Sequence, residues 1–98
     1  MRLDLWTWNG NYFGYREGDD LWTHDGRNVG RFFEDEVFGA DGRYLGEIRN
    51  SNRLITNLSS KSKSSSSFAS KGDRIALVQK NDQLGIVELS GCEDFPKL

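Results

Sequence analysis

Apolar and polar residues alternate in short bursts along most of this chain, and the bursts are separated by glycine-containing turns or small acidic clusters. In Leu5-Trp6-Thr7-Trp8 and Leu21-Trp22-Thr23-His24 the alternation places Trp6 and Trp22 on one face with Trp8 and His24. Leu5 and Leu21 then lie on the other face with the threonines. No uninterrupted window is long enough for an amphipathic helix, so the pattern predicts short strands. The dipeptides Asn9-Gly10, Asp25-Gly26 and Asp41-Gly42 predict hairpin turns of type I′, which need positive φ at both central residues. Polar turns at the opposite end fall at Glu17-Gly18-Asp19-Asp20, Glu34-Asp35-Glu36 and Asn50-Ser51-Asn52. The elements add up to an up-and-down β meander.

Written in blocks of 16 residues from Leu5, the chain matches itself. Gly10, Gly26 and Gly42 fall in one column and Gly14, Gly30 and Gly46 in another. Trp6, Trp22 and Phe38 share a third column, and Phe13, Val29 and Leu45 a fourth. A recurring glycine inside a strand marks a bend or a close neighbour, so a large ring from an adjoining strand is expected over each one. A fourth block starts with Arg53-Leu54-Ile55-Thr56-Asn57, breaks off, and resumes over residues 74–89, where Leu84-Gly85 aligns with Leu45-Gly46. Ile86 to Leu89 read as its strand. The break is a Ser/Lys-rich insertion at about 58–73, too poor in apolar residues to build a core, and reads as a flexible loop. Phe68 is its one large ring, either an anchor to the body or a partner contact.

This pattern resembles the bacterial 4-fold β-flower domain. It runs from an apolar residue and an aromatic through Asp/Asn-Gly and a second glycine to an apolar strand and an acidic turn. The likeness covers Leu5 to about Thr56 and Arg74 to Leu89. The resemblance implies hairpin petals around a pseudo-four-fold axis, with no established activity. The fold class expected is therefore all-β, a closed pseudo-four-fold assembly of short antiparallel β-hairpins from about 16-residue repeats. Closure also follows from physics, since a flat meander would leave two edges open to pairing with other chains. Arg2 to Trp8 is the expected partner of Gly85 to Leu89. Residues 1–98 form a single domain with a short C-terminal tail at about 91–98, in which Phe95 either docks on the body or hangs free.

Composition narrows the chemistry. The 98 residues include eleven glycines, one proline and one cysteine, so packing and turns, not disulfides, must hold the domain. No run suits a membrane helix, and the N-terminus lacks the apolar core of a signal peptide, so a cytoplasmic protein without membrane contact is expected. Through Asn57 seven arginines face ten carboxylates, and every lysine lies at or beyond Lys61, which argues against nucleic acid as a partner. His24 is the lone histidine, with no Ser/Cys-His-Asp pattern around it, and no His/Cys spacing suits a metal. The acidic turn residues Asp19, Asp20, Glu34, Asp35 and Glu36 lack calcium-loop spacing and read as caps. Cys92 has no neighbour that would activate it. No cofactor is implied.

Trp6, Trp22 and Phe38 are expected to fill the core. Trp8 breaks its column, where His24 and Ala40 stand, and is the aromatic expected to be exposed. The expected function is a non-catalytic β-repeat module that binds an unknown protein partner or itself, with Trp8, His24 and Phe68 as possible contacts. A carbohydrate- or small-ligand-binding domain using exposed aromatics is the alternative, and an enzyme with a site near His24 the contrasting class.

Overall fold

The alternating segments fold as strands that follow one another around a barrel. A computed structural model describes residues 2–98. Among these residues, seven consecutive strands close the barrel: β1 (Arg2–Thr7), β2 (Tyr12–Glu17), β3 (Asp20–Thr23), β4 (Asn28–Phe33), β5 (Glu36–Phe38), β6 (Tyr44–Arg49) and β7 (Arg53–Asn57). Each pairs antiparallel with the next. Seven is odd, so first and last strands run parallel, and the seam is short: Trp6 opposite Arg53 and Thr7 opposite Leu54. The rest of β7 takes an eighth strand, β8 (Cys92–Asp94), antiparallel, with Ile55 opposite Asp94 and Asn57 opposite Cys92. Helix is confined to one 3₁₀ turn at Leu58–Ser60, and none among the described residues is long and apolar enough to cross a membrane.

The turns differ from the expected type. Gly10 N–H donates to the Thr7 carbonyl at 2.9 Å, and Thr7 N–H donates to the Asn11 carbonyl at 2.8 Å. The same pair of bonds closes the loops at Gly26 and Gly42. Only the glycine has positive φ, at +99°, +93° and +86° for Gly10, Gly26 and Gly42, whereas Asn9, Asp25 and Asp41 do not. These are three-residue loops with glycine in the left-handed position, the bulged hairpin rather than type I′. Positive φ occurs at the other end instead, at Gly18, Glu34, Asn50 and Ser51.

One residue past each such loop's closing pair, the register slips, opposite Leu5/Trp6, Leu21/Trp22 and Val37/Phe38. The extra residues are Phe13, Val29 and Leu45, and the bulge turns them toward the interior: Phe13 belongs to the core and the other two pack against it. That core also holds Leu5, Leu21, Phe32, Val37 and Leu54. Trp6, Trp22 and Phe38 are not among them. They alternate onto the outer face, where Trp22 and Phe38 are still buried at 1% and 6% exposure and Trp6 is half-buried, so the correction is one of place: the interior itself is filled by Phe13, Phe32, Phe95 and the aliphatic side chains.

Phe95, from the tail, completes the core at 4% exposure and meets Phe13 edge-on at 5.2 Å. It packs so closely on β6 that a Cβ at Gly46 would lie 2.6 Å from the ring and 2.6 Å from the Ile55 carbonyl oxygen. A ring therefore covers Gly46 as expected, but it comes from the tail. Gly30 instead faces the Val37 side chain and Gly14 the Trp22 backbone.

Residues 65–89 form neither strand nor helix, which corrects the expected strand at Ile86 to Leu89 and its pairing with β1. The edge of β1 is already taken by β7. The segment runs instead as a strap past the glycine loops, in the order opposite to the chain. Ser65 N–H donates to the Gly42 carbonyl and Phe68 N–H to Ala40. Arg74 and Leu77 bond Gly26 and His24 in the same way, and Gln83 and Ile86 bond Gly10 and Trp8. The three pairs of donors are nine residues apart, their acceptors sixteen. Lysines of the expected solvated loop pair with the barrel: Lys63 with Glu36 at 2.8 Å and Lys71 with Asp20 at 2.5 Å, and Lys80 further on pairs with Asp4 at 2.6 Å. Exposed pairs of this kind contribute about 0–1 kcal/mol each, so they set the path of the strap more than its stability.

The close approach of strap and loop gives a test. A Cβ on Gly10 would collide with the Gln83 carbonyl, whereas one on Gly18, also at positive φ, meets nothing within 4 Å. Gly18→Ala should cost only the left-handed backbone strain, about 1–2 kcal/mol. Gly10→Ala should cost about 2–4 kcal/mol, because the strap must also detach. Urea unfolding of both variants measures the difference, and equal losses would contradict the docking of the strap at this loop.

Candidate functional site

Strap and barrel are joined by the side chains that the alternation sends outward. Trp6 Nε1 donates to the Asn81 carbonyl at 2.9 Å and Trp8 Nε1 to the Val87 carbonyl at 3.0 Å. Trp8 is only 6% exposed, so the expectation that it stands open is corrected: the strap covers the position where its column breaks. Trp22 is buried between the Tyr15 ring, stacked at 6.4 Å, and the Arg74 guanidinium, 3.8 Å above it, while its Nε1 has no acceptor. Phe68 is half-buried under the Arg31 guanidinium at 4.5 Å. Of the two roles open to it, this contact makes it an anchor of the strap.

Arg53 is the buried joint with the most hydrogen bonds. Its guanidinium donates to the Thr7 and Trp8 carbonyls at 3.3 and 3.2 Å, to Gln83 Oε1 at 3.2 Å and to the Leu84 carbonyl at 2.7 Å. A planar fork with five donors can bridge strand, loop and strap at once, which an ammonium cannot. A second joint centres on Asp4, which accepts from Tyr12 Oη at 3.0 Å and from Lys80 Nζ. Burial would raise the Asp4 carboxyl, but the Lys80 and Tyr12 hydrogen bonds outweigh it and hold the group below its ordinary range. Burial, then the Asp4 carboxylate, pushes the Tyr12 phenol from 10.0 up to about 12.

His24 borders a cavity of about 330 Å³ between the first two glycine loops and the tail. Two of its charged groups are paired with each other: the Thr23 hydroxyl donates to Asp25, and Arg27 Nε lies 3.2 Å from the same carboxylate, while Arg27 Nη2 donates to the Leu98 carbonyl at 2.7 Å. The Thr23 bond, with Arg27 beside it, holds the Asp25 carboxyl below its usual range. The His24 ring lies 6.2 Å from the Tyr12 ring and has no hydrogen-bond partner among the described residues. Among the described residues no three His, Cys, Asp or Glu side chains converge as a metal ion requires.

Trp8, His24 and Phe68 are thus distributed along the path of the strap rather than gathered at one point. What the alternation did not reveal is the outer surface of the strap. Ile75, Val78, Leu84 and Val87 are 91%, 91%, 89% and 87% exposed. They stand two residues before and one after the inward-turned Leu77 and Ile86, in two matching stretches, Lys71-Gly72-Asp73-Arg74-Ile75-Ala76-Leu77-Val78 and Lys80-Asn81-Asp82-Gln83-Leu84-Gly85-Ile86-Val87. That nine-residue match was the available signal. No protein-family model, curated protein or solved structure matches this chain.

The Tyr12 phenol predicts the alkaline limit of stability. Unfolded tyrosine ionises near 10, while the folded phenol keeps its proton to about 12. Stability is complete below pH 10 and declines as pH rises from 10 toward 12. Tyr12→Phe should flatten that decline in part, Tyr44 being raised as well. Denaturant unfolding across this pH range checks it; an unchanged slope would count against the buried Tyr12–Asp4 bond.

Proposed function

We propose that this chain is a non-catalytic β-repeat module for protein binding or self-association, and that the strap is its contact surface. The observation that carries the reading is the row of aliphatic side chains at Ile75, Val78, Leu84 and Val87, nearly as open as in an unfolded chain. Isolated exposed leucines are ordinary, but four at matching positions are a pattern, and patterned apolar exposure marks an interaction site. In the cavity beside His24 the Asp25 carboxylate and the Arg27 guanidinium are engaged with one another, which supports a structural role for that pair.

The architecture we propose for the module is four hairpin units from about 16-residue repeats around a pseudo-four-fold axis, as in the β-flower family. Three units are β1–β2, β3–β4 and β5–β6, with recurring loops and bulges. The fourth joins β7 to β8, separated in sequence by the strap.

A photo-cross-linking residue placed at Val78 or Val87 tests the contact surface in cells that express the protein. Protein adducts are expected at both positions and not at Asp41, on the third glycine loop. Absence of any adduct at 78 and 87 would overturn the reading.

A further inference from the structure

We infer that the strap docks a basic protein segment in which lysine or arginine stands among aliphatic side chains. The carboxylates of Asp73, Asp82 and Glu88 receive its cations, and Ile75, Val78, Leu84 and Val87 its aliphatic groups. The inference rests on the binding-module reading above and names the chemistry of the partner.

The strap carries its unit of recognition twice. Asp73, Ile75 and Val78 recur nine residues later as Asp82, Leu84 and Val87. In the stretch that meets the third glycine loop the equivalent positions are Ser64, Ser66 and Ala69, so the carboxylate and both large aliphatic groups are missing together. Fastening the strap requires none of the three. Ser65 and Phe68 donate to the third loop just as Arg74 and Leu77 donate to the second. The carboxylate and the aliphatic pair thus come and go as one set, independently of what holds the strap, and all six of these side chains are exposed.

Charge selects the partner. Every lysine and arginine between residues 61 and 89 is neutralised within the chain: Lys61 by Glu93, Lys63 by Glu36, Lys71 by Asp20, Arg74 by Glu17 and Lys80 by Asp4. The exposed carboxylates of the strap are not. Asp73 and Glu88 have no cationic partner among the described residues, and Asp82 accepts only the Tyr12 N–H, at 3.0 Å. The open face is therefore aliphatic and anionic. A second copy offering the same face is repelled, and a neutral apolar partner would desolvate carboxylates without pairing them. A partner with cations beside its aliphatic groups satisfies both.

Area makes the charge necessary. Four aliphatic side chains at roughly 60–120 Å² each fall well short of the roughly 800 Å² that each partner buries in a standard interface. Apolar burial alone does not hold such a contact. Attraction between exposed charges adds to it, and the complex is weak, rapidly reversible and sensitive to salt.

Titration of the isotopically labelled chain with three short synthetic peptides, followed through its amide NMR shifts, tests this. One peptide combines lysine and leucine, the second has glutamate in place of lysine, and the third has serine in place of leucine. The lysine–leucine peptide should shift amides within residues 73–78 and 82–88, and more weakly when salt rises from about 0.05 to about 0.3 M. The other two should bind at least about tenfold more weakly. Asp73→Asn/Glu88→Gln should weaken binding several-fold, and Val78→Ser/Val87→Ser about tenfold. Glu34→Gln/Asp35→Asn, which removes the same charge from the turn between β4 and β5, should change nothing. The amide spectrum itself reports that each variant is folded. Equal binding of either control peptide, equal losses from the two charge variants, no shifts on the strap, or association of the chain with itself through Val78 and Val87 would overturn the inference. Cellular cross-links from Val78 or Val87 to segments without lysine or arginine would defeat the basic partner and leave the binding-module reading standing; no cross-link of any kind would defeat both.

Discussion

An odd number of strands is the constraint on which the rest of this structure depends. A meander of seven strands brings first and last together in parallel, and a parallel pair cannot be joined by a tight hairpin. The ladder between β1 and β7 is accordingly two residue pairs long, too short to close a barrel unaided. Three features reinforce it. The tail supplies β8 to the remainder of β7, Phe95 fills the interior behind it, and Arg53 bonds the end of β1 to the strap. A buried guanidinium without a carboxylate is tolerable because four oxygens, three of them backbone carbonyls, surround it.

The strap is part of the same solution. The glycine loops turn their carbonyls outward at Gly10, Gly26 and Gly42, and each accepts from a residue of the strap. The chain thus passes around the barrel once as strands and returns in the opposite sense as an irregular cover. Indoles that alternation sends to the outer face are buried by that cover: Trp22 is 1% exposed although it lies outside the barrel core. The consequence is a cover that is itself mostly exposed, with Phe68, Leu77 and Ile86 half-buried at nine-residue intervals.

Much of the barrel is legible in the sequence. Alternation identifies the strands up to Asn57, and the residue columns identify where loops and bulges recur, because each depends on local geometry that particular residues favour. The loop type is less legible, since Asp-Gly and Asn-Gly suit both the type I′ turn and the bulged loop, and pairing partners decide between them. The return path is hidden for a different reason. Its contacts are backbone hydrogen bonds, scattered ion pairs and one inward apolar side chain, Phe68, Leu77 or Ile86, per nine residues, and a search for strands responds to alternation every second residue. Leu84-Gly85 imitates a strand position of the longer repeat for the same cause. Trp8 was legible as an exception in its column, but whether an exceptional residue is exposed depends on what crosses over it, which only the tertiary path determines.

Native-state hydrogen exchange resolved to single amides tests most directly the claim that the strap is a built part of the barrel's closure. The amides of Ser65, Phe68, Arg74, Leu77, Gln83 and Ile86, which donate to the glycine loops, should exchange slowly. Those of Ile75, Val78, Leu84 and Val87 should exchange rapidly, giving alternating protection with a nine-residue period. Uniformly rapid exchange from residue 65 to 89, beside protected strands, would show a barrel that closes without its strap and would contradict the account.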